Sequence, residues 1–157
     1  MKITVEPLRA EAFTPFGQVI VAPQVGSRTD ITPFLENLRS HAGAKLHISS
    51  RPPVPLPFVG RVMERHRFSS QAFIPISMSR YLVVVAPQAT GGGPDLGRVR
   101  AFCASGHQGI NYRANVWHAP MAVLDRDGQY AVFMWQDGTA ADEEFVDLAE
   151  ALEFDSI

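Results

Sequence analysis

"FVGRVMERHRFSSQAFIPI", residues 58–76, consists of two runs of β-branched and aromatic residues separated by the polar break "RFSS". Such runs read as strands and the break as a tight turn, after which Gln71 opens the next antiparallel strand near the rim occupied by His66. Working outward, the same grammar recurs along the chain. Strands are expected at residues 2–8, 17–22, 44–50, 58–66, 71–76, 80–87, 98–105, 109–113, 118–125 and 129–136. Twelve prolines and twelve glycines punctuate them. Helical signals are few: one turn in "RAEAFTPFG" before Pro15, two in "ITPFLENLRS", and an apolar spacing of helical type in "DEEFVDLAEAL" near the end. Many short strands without regular βα alternation imply an all-β antiparallel sandwich or barrel carrying a few short helices. No repeat, low-complexity tract or composition break divides the chain, so residues 1–157 are expected to form a single domain. The glycine run "TGGGPDLG" (90–97) lacks both the strand-to-helix context and the lysine of a phosphate loop, and reads as an ordinary loop.

Composition narrows the partners. Lys and Arg number 14 against 16 Asp and Glu, a net charge of −2, with no basic run to serve nucleic acid or an anionic membrane. The single cysteine, Cys103, lies in the apolar run "VRAFCAS" and is expected to pack as a small hydrophobe. With no internal disulfide, no basic-plus-apolar leader and no stretch of about 18 apolar residues, a reducing cytoplasm is the expected compartment.

The candidate chemistry sits where the reading began. Side chains alternate faces along a strand, so Val62, Glu64 and His66 should point the same way, and a turn through "RFSS" allows Gln71 to face the same hollow. Roughly fifty residues later, "GINYRANVWHAP" (109–120) places Asn111 and Arg113 on one face of a strand and brings a second histidine, His118. By the same alternation Arg65 and Arg67 should be solvated. His41, His47 and His107 read as structural or exposed, and Tyr112 and Trp117 as packing residues.

The order Glu-x-His, four residues, Gln, then a distant His resembles the metal-binding pattern of the cupin superfamily, usually His-x-His, three or four residues, Glu, then His on a later strand. The resemblance implies a cupin-type antiparallel β-barrel. It also implies a metal site at Glu64, His66, Gln71 and His118, with Glu64 standing where a His is usual and Gln71 where a Glu is usual. Such a set, with oxygen and nitrogen donors and one negative charge, is able to hold Ni²⁺, Zn²⁺ or Mn²⁺, though more weakly than three histidines and a glutamate would. No organic cofactor is implied.

The blocks "ERHRFSSQAFIPI", "YLVVVAP", "PDLGRVRAF" and "GINYRANVWHAPM", with the opening "PLRAEAFTPFGQVI", are similar to those of the ureidoglycolate lyase family within that superfamily. Together they span most of residues 3–135. The resemblance implies a homodimeric enzyme splitting ureidoglycolate into glyoxylate and urea in purine (allantoin) breakdown. Residues 24–43, "QVGSRTDITPFLENLRSHAG", depart from the family pattern.

Cleavage of that substrate asks for specific residue types. Removal of the hydroxyl proton collapses the carbinol carbon to an aldehyde while the leaving nitrogen takes up a proton, so the site needs an acceptor, a donor and an anchor for the carboxylate. Glu64, His66 and His118 are the candidate catalytic groups. A bound metal would lower the hydroxyl pKa. Arg51 and Arg113 are the candidate anchors, Arg113 being the better placed in sequence, since a planar guanidinium grips a carboxylate in two places. Asn111 and Gln71 are the candidates for reading the ureido amide. Two other readings use the same residues: a cupin enzyme for a related 2-hydroxy acid or acylurea, and a non-catalytic sensor of small acids.

Overall fold

The computed structural model describes residues 1–154. Twelve strands follow in order: β1 (Val5–Pro7), β2 (Gly17–Val21), β3 (Gly43–Arg51), β4 (Phe58–Arg65), β5 (Gln71–Ser77), β6 (Arg80–Ala86), β7 (Arg100–Ser105), β8 (Gln108–Tyr112), β9 (Trp117–His118), β10 (Ala122–Leu124), β11 (Gly128–Gln136) and β12 (Glu144–Phe154). One turn of helix, α1 (Ala10–Phe13), lies between the first two, as expected. The larger sheet runs β1-β7-β6-β9-β4-β12 with β10 beside β6, and the smaller runs β2-β8-β5-β11-β3. The two sheets curl over one another as the expected barrel, and among the described residues no strand ladder joins edge strands β3 and β12.

The run "RYLVVVAP" shows how the layers stack. Tyr81, Val83 and Val85 point into the space between the sheets and pack with Phe73, Phe102, Ile110, Tyr112 and Val132. On the opposite face of β6, Leu82, Val84 and Ala86 join Met63, Trp117, Leu152 and Phe154 in a second cluster outside the larger sheet. A strand buried on both faces has no polar alternation to show, hence its unbroken apolar run. Cys103 is half-buried, and burial pushes its thiol pKa up, in keeping with a packing role.

Three local expectations are corrected. "DEEFVDLAEAL" (142–152) is not helical: from Glu144 on it belongs to the eleven-residue strand β12. Its register against β4 jumps between Asp147 and Leu152, so residues 148–151 oppose Arg61 alone. That bulge resets the alternation and puts buried Leu148 and Leu152 four apart, a spacing that imitates a helix. In "ITPFLENLRS" only a three-residue 3-10 turn, Thr32–Phe34, forms. The segment expected as one strand at 118–125 is split into β9 and β10 around Pro120.

Edge strand β3 is paired to β11 alone, in register His47↔Val132 and Ser49↔Tyr130. Because Tyr130, Val132 and Met134 face the core, their partners Lys45, His47 and Ser49 turn inward as well, with Arg51 continuing the stripe. The alternate residues Leu46 and Ile48 look outward and are 68% and 63% exposed. The usual polarity of a strand is thus inverted on β3.

Close approach of β2 to β8 fixes one glycine. A Cβ at Gly17 would lie 1.8 Å from the Asn111 carbonyl oxygen, too close for anything but backbone displacement. Gly17→Ala is expected to lower unfolding free energy by about 2–3 kcal/mol, read from the shift of the urea midpoint at constant m; an unshifted midpoint would mean the two strands have room to part.

Candidate active site

Glu64 and His66 stand at the end of β4, Gln71 at the start of β5, and His118 on β9. The "RFSS" turn does not fold β5 back beside β4, as a hairpin would. It carries the chain from the larger sheet to the smaller, so Gln71 faces His66 across the interior. The turn is pinned: the Ser69 hydroxyl accepts the Trp135 amide and the Ser70 hydroxyl accepts the Glu36 amide, both at 2.8 Å. Glu64 and His118 are direct neighbours in the β4–β9 ladder.

The four polar ends converge. His118 Nε2 lies 3.0 Å from Gln71 Oε1 and 3.2 Å from Glu64 Oε1. The His66 and His118 ring centroids are 5.5 Å apart. One donor atom each from Glu64, His66 and His118 falls within 4.8 Å of the others. Both imidazoles are oriented from behind. His66 Nδ1 is 2.8 Å from the Asp142 carbonyl and His118 Nδ1 is 3.0 Å from the Val116 carbonyl. A carbonyl only accepts, so each Nδ1 carries the proton and each Nε2 of a neutral ring presents a bare lone pair. Tyr112 stacks on the His118 ring at 4.1 Å and 15°, closing its other side.

These residues fit a metal ion. His66 Nε2 is buried with no hydrogen-bond partner, while the His118 Nε2 lone pair faces two oxygens that are themselves acceptors. The Gln71 amide nitrogen is turned to Met134 Sδ at 3.8 Å, leaving Oε1 toward the imidazole. Four electron-rich atoms pointed at one another repel unless a cation lies among them, either a proton on His118 Nε2 shared with Glu64 and Gln71 or a metal ion, and nitrogen and oxygen donors of this kind suit a first-row divalent ion.

Electrostatics agree with that geometry. Burial alone would raise the Glu64 pKa, but the hydrogen bond with His118 and the charges of His118, His66 and Arg51 outweigh it and hold the carboxyl below 4.5. Glu64 is therefore ionised near neutrality. Burial, followed by repulsion from His118, pushes His66 below 6.5 and favours the neutral ligand form.

Glu64, His66 and Gln71 line a cavity of about 380 Å³, with His118 behind them, and it also receives His47, Ser49 and Arg51 from β3, Tyr130 and Met134 from β11, and Glu143 ahead of β12. This volume suits a small metabolite. A larger cleft of about 580 Å³, with Arg98, Arg100 and Asn115 on its walls, lies elsewhere. It contains none of the clustered donors.

Of the seven residues picked out from sequence, five meet here: Glu64, His66, His118, Gln71 and Arg51. Asn111 and Arg113 do not line the cavity. They sit on the face of β8 and its extension opposite Tyr112, where Asn111 donates to Gln18 Oε1 at 2.8 Å and to the Phe34 carbonyl at 2.9 Å, and Arg113 is exposed. Arg51 rather than Arg113 is thus the better-placed anchor. Arg65 is not solvated either. It is 6% exposed, forked onto Glu144 at 2.9 and 3.0 Å and stacked 4.5 Å over Trp117. A long aliphatic stem and a paired guanidinium let a charge lie against the outer cluster. Arg67 is exposed, as expected.

Two contributors went unrecognised in the sequence. His47 faces the cavity, and its signal was there in "AKLHISSR", where a polar residue recurs at every second position. The other is a brace behind His66. Asp142, whose carbonyl holds the ring, is itself fixed by Arg39 and by the amides of Asp137 and Gly138 at 3.0 and 2.7 Å. Nothing in the local sequence links residue 39 to residue 142.

Comparisons with known proteins bear on this site. A family model described as ureidoglycolate lyase matches residues 1–155. The chain is 33% identical over 169 residues to a ureidoglycolate lyase of Schizosaccharomyces pombe, covering 90% of this chain and 88% of that one. It is 37% identical over 163 residues to a ureidoglycolate lyase of Pseudomonas aeruginosa, covering 98% and 95% respectively. Among solved structures, a dTDP sugar isomerase from Desulfovibrio desulfuricans G20 superposes with a TM-score of 0.54 at 17% identity, covering 85% of this chain and 83% of the other, a likeness of fold.

Proposed function

The chain belongs to the ureidoglycolate lyase family, and from that premise we propose how its cavity cleaves ureidoglycolate to glyoxylate and urea in purine breakdown. The observation that carries the reading is the convergence of Glu64, His66 and His118 from the larger sheet with Gln71 from the smaller, beside a small hollow to which the smaller sheet also supplies Arg51.

Arg51 takes the substrate carboxylate in its planar fork, leaving the carbinol carbon toward Glu64. The ionised Glu64 accepts the hydroxyl proton, for which a carboxylate offers a second oxygen beyond the one facing His118. The oxygen lone pair forms the aldehyde as the carbon–nitrogen bond breaks, and urea leaves after its nitrogen is protonated. Gln71 lies beside the reacting centre with an acceptor oxygen. His66, His118, Gln71 and Glu64 would hold a divalent ion, Ni²⁺, Zn²⁺ or Mn²⁺, which when bound acidifies the substrate hydroxyl and stabilises the developing alkoxide. The braced Nδ1 atoms of both histidines keep Nε2 in place for that task.

Two further elements complete the proposal. The protein acts as a homodimer of single-domain subunits, a reading supported by the exposed apolar Leu46 and Ile48 on the outer face of β3. It works in the cytoplasm, and among the described residues no helix is long and apolar enough to cross a membrane.

The purified protein is expected to release glyoxylate from ureidoglycolate well above the spontaneous rate, to lose that activity with a chelator, and to regain it with one of the three ions. Equal rates with and without chelator would remove the metal; no release in either condition would remove the lyase reading.

A further inference from the structure

The reaction moves a proton from oxygen to nitrogen, and the residues assigned so far supply only the acceptor. Neither braced imidazole is suited to donate. Each Nδ1 proton is committed to a backbone carbonyl and each Nε2 is turned into the donor cluster. A guanidinium is not a proton donor near neutral pH, and an amide or a serine hydroxyl has no acidic proton to offer there. Among the remaining side-chain types at the cavity, carboxyl and phenol groups have reference pKa values well away from neutrality, whereas that of imidazole lies near it.

His47 remains. It lies on β3 in the smaller sheet and lines the same cavity, facing the wall of the larger sheet that carries Glu64 and His66. Its side chain is exposed, and among the described residues neither ring nitrogen has a hydrogen-bond partner. It is therefore an imidazole at the cavity, uncommitted to structure and open to solvent for reloading. Around it stand Lys45 and Arg51 on its own strand, Tyr130 on β11, Glu64 and His66 on β4, and Glu143 ahead of β12.

We propose that His47 is the general acid that protonates the departing urea nitrogen, an assignment that rests on the lyase reading above. In balance, the hydroxyl proton passes to Glu64 while the oxygen lone pair forms the carbonyl. The bonding pair of the carbon–nitrogen bond goes to nitrogen, which takes the proton of the His47 imidazolium. Glu64 then releases its proton and His47 regains one through solvent, so no net proton or electron is consumed. The inward turn of a polar stripe on β3 acquires a catalytic purpose.

The test is steady-state glyoxylate release by the metal-loaded protein and its His47→Gln and His47→Ala variants, measured across the range where imidazole titrates, about pH 5–8. For His47→Gln, kcat is expected to fall roughly a hundredfold with KM nearly unchanged. The alkaline decline of kcat, which reports loss of the acid's proton, should flatten. Added imidazole should restore part of the His47→Ala rate. Wild-type kcat with an unchanged pH profile in His47→Gln would overturn the assignment while leaving the lyase reading intact, as would a rise in KM alone. A lack of turnover by the unaltered protein would be the separate failure of that reading.

Discussion

His66→Ala is expected to lower kcat for glyoxylate release by roughly a thousandfold, within the range seen when a positioned proton-transfer or ligand group is removed. The ring is buried, braced through Nδ1 by the Asp142 carbonyl, and its Nε2 is an orphan that no protein group satisfies. A buried nitrogen lacking any partner costs stability unless a ligand completes it. Removing the imidazole takes away a donor that the cavity needs and leaves a small void, so a stability cost of about 1–3 kcal/mol accompanies the loss of rate. The two effects separate by measurement. Circular dichroism should show a folded protein at the assay temperature, with the bound divalent ion depleted and kcat collapsed. A variant that melts earlier yet retains metal and turns over within about threefold of the parent would make His66 a packing residue.

Arg51→Met carries the second large effect, and it falls on binding. Removing the charged hydrogen bonds of the guanidinium to the substrate carboxylate costs about 1.5–3 kcal/mol, which raises KM roughly 10- to 150-fold. Arg51→Lys keeps the charge but not the fork, and recovers only part of this loss. Arg113→Lys is the internal control. That side chain is exposed and away from the cavity, so its kinetics should match those of the unaltered protein. If Arg113→Lys weakens substrate binding and Arg51→Met does not, the two arginines have been assigned the wrong way round.

These contrasts show what was legible in the chain. Strand positions were, because each short apolar run has its own turn residues, and the histidines at 66 and 118 stood out through the blocks around them. Facing was harder. Asn111 and Arg113 share a face as alternation requires, but alternation does not say which face is the interior, and Tyr112 took it. Arg65 looked solvated because a charge at a strand end usually is; its partners Glu144 and Trp117 arrive from 79 and 52 residues further along. The strand at 144–154 was hidden by its bulge, which imposes a four-residue apolar spacing on an extended chain. The brace from Arg39 through Asp142 to His66 joins three distant segments, and a long-range link of that kind leaves no local periodicity to read.

The inverted polarity of β3 has a price in folding. In an isolated subunit, sliding the strand by one residue against β11 would bury Leu46 and Ile48 and expel His47 and Arg51 to solvent, so hydrophobic gain alone favours the wrong register until a partner covers the outer face. The native alignment is a locally frustrated one, guarded among the described residues by a ladder on a single side. Slippage should therefore begin here, with the amides of β3 exchanging ahead of those in β5 and β11, and the acid-bearing wall of the active site is the first part of the fold to be lost.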